Sequence, residues 1–363
     1  MSKERQSNFE LMRIISIIFI ILCHTIGHGN VFNNCQNPSL RILLDIIFFI
    51  IIVHVNSFLI LTGYFQSNST FKRKKAFKLI FQSVTYSFVI FTIAVILGLV
   101  KNHNIVMFIE NALPSSVADY WFISCYLIVY IFSDYLNIFI NRISKDEYKK
   151  FLLVAFLVLS VLPYITGLKF LNNDGFNFFH FIFLYFIGAY LRKYPLKEMY
   201  YFKNLSEKKY RIVMFLLFFL LAFFNFSITE FSFKINGLNS VYSFFANRFI
   251  NVRLAYSNPI IILQSVCFFE FFRTLKFKNK IINLLSTTVF GIYLFHDNNI
   301  VRKYIYKFLK IDNGYFYSYK MVYRIFVGVI IIFTTGFIIE FTRSQLVNLV
   351  SKLIKKKRKD ADV

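Results

Sequence analysis

The sequence predicts an all-α, polytopic integral membrane protein of about ten transmembrane helices with both termini in the cytoplasm. Three observations carry that expectation. Of 363 residues, 57% are hydrophobic and only 17% charged, with a mean hydropathy of +0.57; a soluble chain carries about 25% charged residues to cover its exterior. The apolar residues fall in continuous runs of roughly 20, the length a helix needs to cross ~30 Å of hydrocarbon, and not in the alternation of a barrel strand. Lys and Arg lie between the runs, concentrated on alternate connections.

Taken in order, the runs place spans at 9–29, 41–65, 79–100, 120–141, 151–170, 177–194, 211–232, 256–275, 282–301 and 321–343. Lys3 and Arg5 precede the apolar stretch from Ile14 to Ile26 as in a signal peptide. No small-x-small cleavage site follows, so this stretch is expected to stay as the first helix. Loops are short, and no Gly/Ser/Pro linker sets off a second folded unit. Residues 1–343 are therefore expected to form one membrane domain and 344–363 a basic cytoplasmic tail, whose run from Lys355 to Lys359 suits anionic lipid.

With the N-terminus inside, inner segments hold 30 of the 42 basic residues and outer segments 12, as the positive-inside bias requires. One segment departs from this. Residues 302–324 carry six basic residues on the expected outer side, so either they form a functional outer patch or the ninth span is misplaced. The net charge of +24 is of the size seen in nucleic-acid-binding chains, but the cations follow the topology; the expected partner is the lipid bilayer, and no nucleic acid is expected. Cys23, Cys125 and Cys267 lie in apolar runs as buried thiols, and Cys35 alone in a polar loop gives no disulfide framework. The six histidines show no ligand cluster, so no metal is expected.

Ionisable residues inside a bilayer are costly and mark function by default. The first span has two, Arg13 and His24. At 100° per residue their separation returns to within about 20° of one face, roughly 16 Å apart along the axis. Arg13 then lies near the cytoplasmic end and His24 in the outer half. Singly, Arg13 also reads as a residue snorkelling to the interface and His24 as an interhelical hydrogen-bonding residue; the shared face favours function for both. Glu10 either orients Arg13 or complements the helix N-terminus. Asp45, Asn56 and Gly63 form a stripe expected to face protein, with His54 unassigned. Glu110, Asp119, Glu230 and Glu270 lie near span ends and are expected to need no special role.

The residues around Arg13 and His24 resemble a known family. Phe9-Glu10-Leu11-Met12-Arg13, then ten residues, then His24, is similar to the opening of the bacterial acyltransferase family 3 membrane O-acyltransferases. Phe58 to Phe65 resembles that family's phenylalanine-rich end of the second helix, with Thr62-Gly63 where Ser-Gly is usual. Lys75-Ala76-Phe77-Lys78 falls where the family has arginine-x-x-arginine before the third helix. Trp121-Phe122-Ile123 is similar to its Trp-Phe start of the fourth helix, and Gly291 to His296 to its late tyrosine-leucine-x-histidine segment. These segments occur in order along nearly the whole chain. Two departures stand out: lysines keep the charge of the third-helix motif but lose the bidentate fork for phosphate, and no esterase-like domain follows, as expected for a stand-alone form.

The resemblance implies a multi-pass protein of the bacterial plasma membrane that moves an acyl group, acetyl first, from cytoplasmic acyl-CoA to a hydroxyl of an extracytoplasmic envelope glycan or lipid-linked sugar. Acetyl-CoA is then a donor, and no cofactor is permanently bound. It implies catalytic roles for His24 and His296, and substrate or donor contacts for Arg13, Glu10, Lys75, Lys78, Trp121 and Tyr293. The residues allow this. Arg13, Lys75 and Lys78 lie at the inner edge, although lysines there also serve as topology signals. A neutral imidazole, with an unperturbed pKa near 6.5, accepts the proton of a sugar hydroxyl as it attacks a thioester. At about 1.5 Å per residue, His24 lies about 22 Å up its span and His296 about 21 Å up the ninth, at one depth; a structural hydrogen bond is the other reading of His296. Asp297, about 100° round from it, need not pair. A flippase for lipid-linked sugars would share the basic loops but calls for repeats with broken helices, and none is evident. A polysaccharide polymerase would be expected to have a larger outer loop.

Overall fold

The computed structural model describes residues 5–101, 104–113, 120–168, 173–311 and 319–361; Asp119 and positions 169–170 of the fifth expected span lie outside them. The described residues form helices and no strands. The thirteen that build the bundle are α1 (Ser7–His28), α2 (Pro38–Ile51), α3 (His54–Gln66), α4 (Arg73–Ile96), α5 (Trp121–Ile131), α6 (Ser133–Arg142), α7 (Lys145–Thr166), α8 (Phe178–Lys193), α9 (Glu207–Ile235), α10 (Pro259–Arg273), α11 (Val289–His296), α12 (Asn299–Phe308) and α13 (Lys320–Ala361). Their starts are written in the sequence. Asn37, Asn177, Ser206, Asn258 and Asn298 each accept a first-turn backbone N–H, with Pro38 and Pro259 at the first helical position. Ser144 and Glu147 close a reciprocal capping box.

Among the described residues, six helices are long and apolar enough to cross a membrane: α1, α2 with α3, α4, α7, α9 and α13. A seventh arises if α5 and α6, bent by 54° at Phe132, count as one. The expectation of ten continuous spans is therefore not matched by ten long helices. The segments 177–194 and 256–275 hold helices of only 16 and 15 residues: Asn177 and Asn258 cap their starts, the second three residues into its segment, and Tyr194-Pro195 and Thr274 end them. The segment 282–301 is interrupted. A short helix, Lys280–Leu285, leads through a 3₁₀ turn into α11, which stops at His296 before α12 begins. The second span also breaks, at Ile52 and Val53, and α7 widens into a π turn at Leu157–Val161, where Ser160 Oγ donates to the Ser257 carbonyl at 2.6 Å. Helices are thus broken where the sequence suggested none. No break separates the expected domain from its tail, since α13 continues through residue 343.

α1 is the centre. Of its most apolar stretch 67% is buried, against 11% for α7 and 28% for α9, which face outward. Its start is pinned by Ser7 Oγ donating to Asn283 Oδ1 (2.9 Å) and Asn8 Nδ2 donating to the Phe272 carbonyl (3.0 Å). Phe9 packs among Tyr64, Phe65 and Phe269. Buried carboxylates carry their own counter-ions one turn away: Glu10 with Arg13 (2.9 Å), Glu270 with Arg273 (2.7 Å) and Glu340 with Arg343 (2.6 Å). Tyr210 and Tyr86 donate to Glu270 and Glu340 at 2.7 and 2.9 Å. Glu270, expected to need no role, is thus part of a buried triad; its charge would otherwise sit unpaired in a lipid-surrounded bundle.

α3 and α8 approach to backbone contact. A Cβ on Gly63 would strike the Tyr185 carbonyl, and one on Gly188 the Ile60 carbonyl, the close crossing that small residues give membrane helices. Gly63→Val or Gly188→Val should therefore cost more than the about 1–3 kcal/mol usual for overpacking, since backbone must yield. Gly27→Ala, with nothing near its Cβ, should leave stability unchanged. Thermal unfolding of the detergent-purified chain checks this, and equal melting of the three variants would refute the reciprocal-glycine contact.

Candidate active site

Arg13 and His24 share a face of α1, and that face lines a cavity of about 750 Å³. At the N-terminal end of α1 its wall includes Arg5, Arg13 and Lys75. Arg13 is held by both Glu10 oxygens at 2.9 Å, while Glu10 is buried behind it and outside the lining. Lys75 Nζ sits 4.5 Å over the Tyr130 ring. Lys78, expected to join it, is exposed and does not line the cavity; it lies about 60° round α4 from Lys75, on the side away from Leu79, which does line it.

At the other end of α1 the cavity meets a polar cluster. His24 Nδ1 lies 3.2 Å from Asp297 Oδ1 and 3.2 Å from His296 Nε2. His296 Nδ1 faces the Ile292 carbonyl at 2.8 Å, so it bears the hydrogen and Nε2 of the neutral ring is an acceptor. His24 Nδ1–H then points to His296 and Asp297, and His24 Nε2 is left with its lone pair. The two histidines do meet at one depth. Only His24 lines the cavity; His296 is fully buried behind it.

Three residues here escaped the sequence reading. Asp297 was set aside because helical neighbours diverge by about 100°. It caps α11, its N–H still donating to the Tyr293 carbonyl, and it directs its carboxylate onto α1, at His24 and not at His296. The polar run Asp297-Asn298-Asn299 after an apolar helix was the available signal. Arg302, on the anomalous basic segment, folds inward, with Nη1 3.2 Å from Asp297 Oδ1 and 3.1 Å from His28 Nε2. That favours a functional patch over a misplaced span for its first residue. His28, one turn beyond His24, stacks edge-on to it at 5.0 Å.

The expectation of no metal-ligand cluster is corrected by the same residues. His24, His28 and Asp297 bring potential ligand atoms within 4.8 Å of one another. The Arg302 guanidinium bridges two of the three, occupying the place a cation would take.

An aromatic wall flanks this end. Trp121 lies 4.7 Å from Phe176 and stacks at 6.2 Å on Tyr256. Tyr256 is fixed by its hydroxyl donating to His54 Nε2 (3.2 Å) and its carbonyl accepting from Asn56 Nδ2 (2.9 Å), with His180 Nε2 on Asn56 Oδ1 (3.0 Å). The unassigned His54 and half of the Asp45-Asn56 stripe thus hold the cavity wall; Asp45 instead pairs with Arg41 at 3.2 Å. Tyr293 lines the same space.

Residues 6–341 match the family model of the acyltransferase domain of acyltransferase family 3. The chain belongs to acyltransferase family 3. It is a multi-pass membrane protein that transfers acyl groups. No curated protein and no solved structure matches it. The matched range of this family 3 member takes in every cavity residue named above except Arg5.

In a chain with its four cysteines replaced by serine, Gly27→Cys should react with a small charged thiol reagent, because Gly27 lines the cavity. Leu294→Cys, fully buried off the cavity, should not. Equal protection of both positions would close the cavity to water.

Proposed function

We propose that this acyltransferase moves an acetyl group from cytoplasmic acetyl-CoA to a hydroxyl of an extracytoplasmic envelope glycan, in a bacterial plasma membrane. Both termini are cytoplasmic in this reading, with α8, α10 and the segment 282–301 completing ten crossings. The excess of Lys and Arg on the inner connections supports that orientation. The observation that carries the proposal is a single cavity with cations at one end and an imidazole with a bare Nε2 about 16 Å along the same helix.

Donor phosphates are met by Arg13, Arg5 and Lys75, none of which is buried. Lysine is a point charge without arginine's fork, so the 75 position supplies attraction more than orientation. The thioester arm extends along apolar walls of Ile17, Ile20 and Phe58 to His24. The acceptor comes from the opposite mouth, beside Trp121 and Tyr256, whose faces suit the C–H face of a sugar ring. His24 Nε2 takes the hydroxyl proton as the oxygen attacks the thioester carbon. Asp297, against Nδ1, stabilises the imidazolium, which returns the proton to the departing thiolate. His296 is a positioning residue here, since it touches His24 and not the cavity.

Mass spectrometry of envelope glycans should show an acetyl increment that disappears when the gene is deleted and stays absent when the deletion is complemented with His24→Ala. Positioned general bases contribute about 10²–10⁴-fold, so acetylation by His24→Ala at near wild-type levels, at equal protein level, would remove the base assignment. A second outcome separates the lysines. Lys75→Ala should raise the KM for acetyl-CoA several-fold with little change in the acceptor KM, and Lys78→Ala should leave both unaltered. If the two variants behave alike, Lys75 serves topology only.

A further inference from the structure

We infer that Tyr293 is the oxyanion donor of the acyl transfer, its phenolic O–H hydrogen-bonding the thioester carbonyl oxygen as negative charge develops there. The inference rests on the acyltransferase reading above and adds a catalytic residue to it. The step needs such a donor. When the acceptor oxygen forms its bond to the carbonyl carbon, the C=O π pair moves onto oxygen. When the C–S bond breaks, that pair re-forms C=O, and the thiolate leaves with the proton that His24 took from the acceptor. A donor aimed at the intermediate oxygen in a dry site is typically worth about 10²–10³-fold in rate.

Tyr293 meets the requirement on three counts. It lies three and four residues before His296 and Asp297, hence on the α11 face that meets His24. Its ring lines the cavity and is held by Phe122 and Tyr120, each at 6.0 Å and steeply inclined, so the hydroxyl is preorganised. That hydroxyl is buried and makes no hydrogen bond of ordinary geometry, its interaction with the neighbouring Asp297 carboxylate falling short of one. Of the other hydroxyls on the wall, Thr62 donates to the Phe58 carbonyl, Tyr256 to His54, Ser286 to the Asn283 carbonyl and Thr287 to the Leu284 carbonyl, while Tyr126 lies against Thr62, near Arg13 and away from His24. Arg302 is engaged with Asp297 and His28. A buried phenol left without a partner lowers stability, which is understandable where the partner arrives with the substrate.

The test uses the full chain in lipid nanodiscs, with radiolabelled acetyl-CoA and envelope polysaccharide extracted from cells lacking the gene. Label entering the polysaccharide is counted. Tyr293→Phe should lower kcat by about 10²–10³-fold, the loss typical of one oxyanion donor, with the KM for acetyl-CoA within about twofold. Its melting temperature should be unchanged or higher, because no native hydrogen bond of ordinary geometry is lost. Tyr148→Phe, which deletes a buried phenol bonded to the Phe186 carbonyl at 2.8 Å away from the cavity, is the reference and should melt lower with kcat retained. Tyr293→Phe keeping more than about a third of wild-type kcat overturns the inference, as does a lower melting temperature with proportionate loss of activity. If wild-type protein transfers no label, the acyltransferase reading of the substrate fails instead, and the Tyr293 role with it.

Discussion

The structure turns on the contact between His24 Nδ1 and the Asp297 carboxylate, 3.2 Å apart and 273 positions distant in the chain. A carboxylate buried in a lipid-surrounded bundle must find partners or lose its charge. Asp297 finds three groups: His24 and Arg302 directly, and His28 through Arg302. To present it, α11 ends early and α12 starts on a new axis capped by Asn298. To receive it, α1 sets His24 and His28 on its cavity face, with Ile17 and Ile20 separating them from Arg13. The cavity exists because these two requirements prevent the helices from closing upon each other.

A comparison with the other buried acids shows that this arrangement is not general-purpose charge neutralisation. Glu10, Glu270 and Glu340 each use an arginine one turn away on their own helix. Such pairs form with the helix and make each segment nearly neutral before it packs. Asp297 has no local arginine in that register. Its partners come from both ends of the sequence, so the cluster forms only in the folded chain. Lys75 departs in the opposite sense, facing a tyrosine ring rather than a carboxylate. A cation–π contact leaves most of its charge available to an anion.

What the sequence revealed follows from what is periodic. Continuous apolar runs and the eleven-residue return of Arg13 and His24 are local properties, and both are found in the structure. The matched family and the ordered motifs agree over residues 6–341. What was illegible depends on the places where the helix stops and on contacts across the chain. Weighing neighbours only locally sets Asp297 aside: it considers the residue as a partner for His296 alone, and both instead meet His24. The same view hid Arg302 too, since a basic residue in an outer loop looks like solvated charge until α12 folds it inward. The same local logic overestimated the long helices, for hydropathy does not register the asparagine cap that starts α10 three residues into its segment.

The breaks themselves are placed where irregular backbone can be tolerated. Unpaired N–H and C=O groups at membrane depth are stable only when protein or a water-accessible cavity surrounds them. Ile52 and Val53 precede His54 and Val55 on the cavity wall, and the 3₁₀ turn brings Ser286 and Thr287 to it. The stop after His296 delivers Asp297, Asn299 and Arg302. Broken helices around a central cavity would also suit a carrier, so breakage alone does not discriminate between moving a molecule and modifying it. The discriminating feature is what the breaks present. A carrier needs groups that bind and release; here the cavity is met by an imidazole whose Nδ1 is anchored and whose Nε2 is free, with an acid behind it, the pairing that taking up and returning a proton requires.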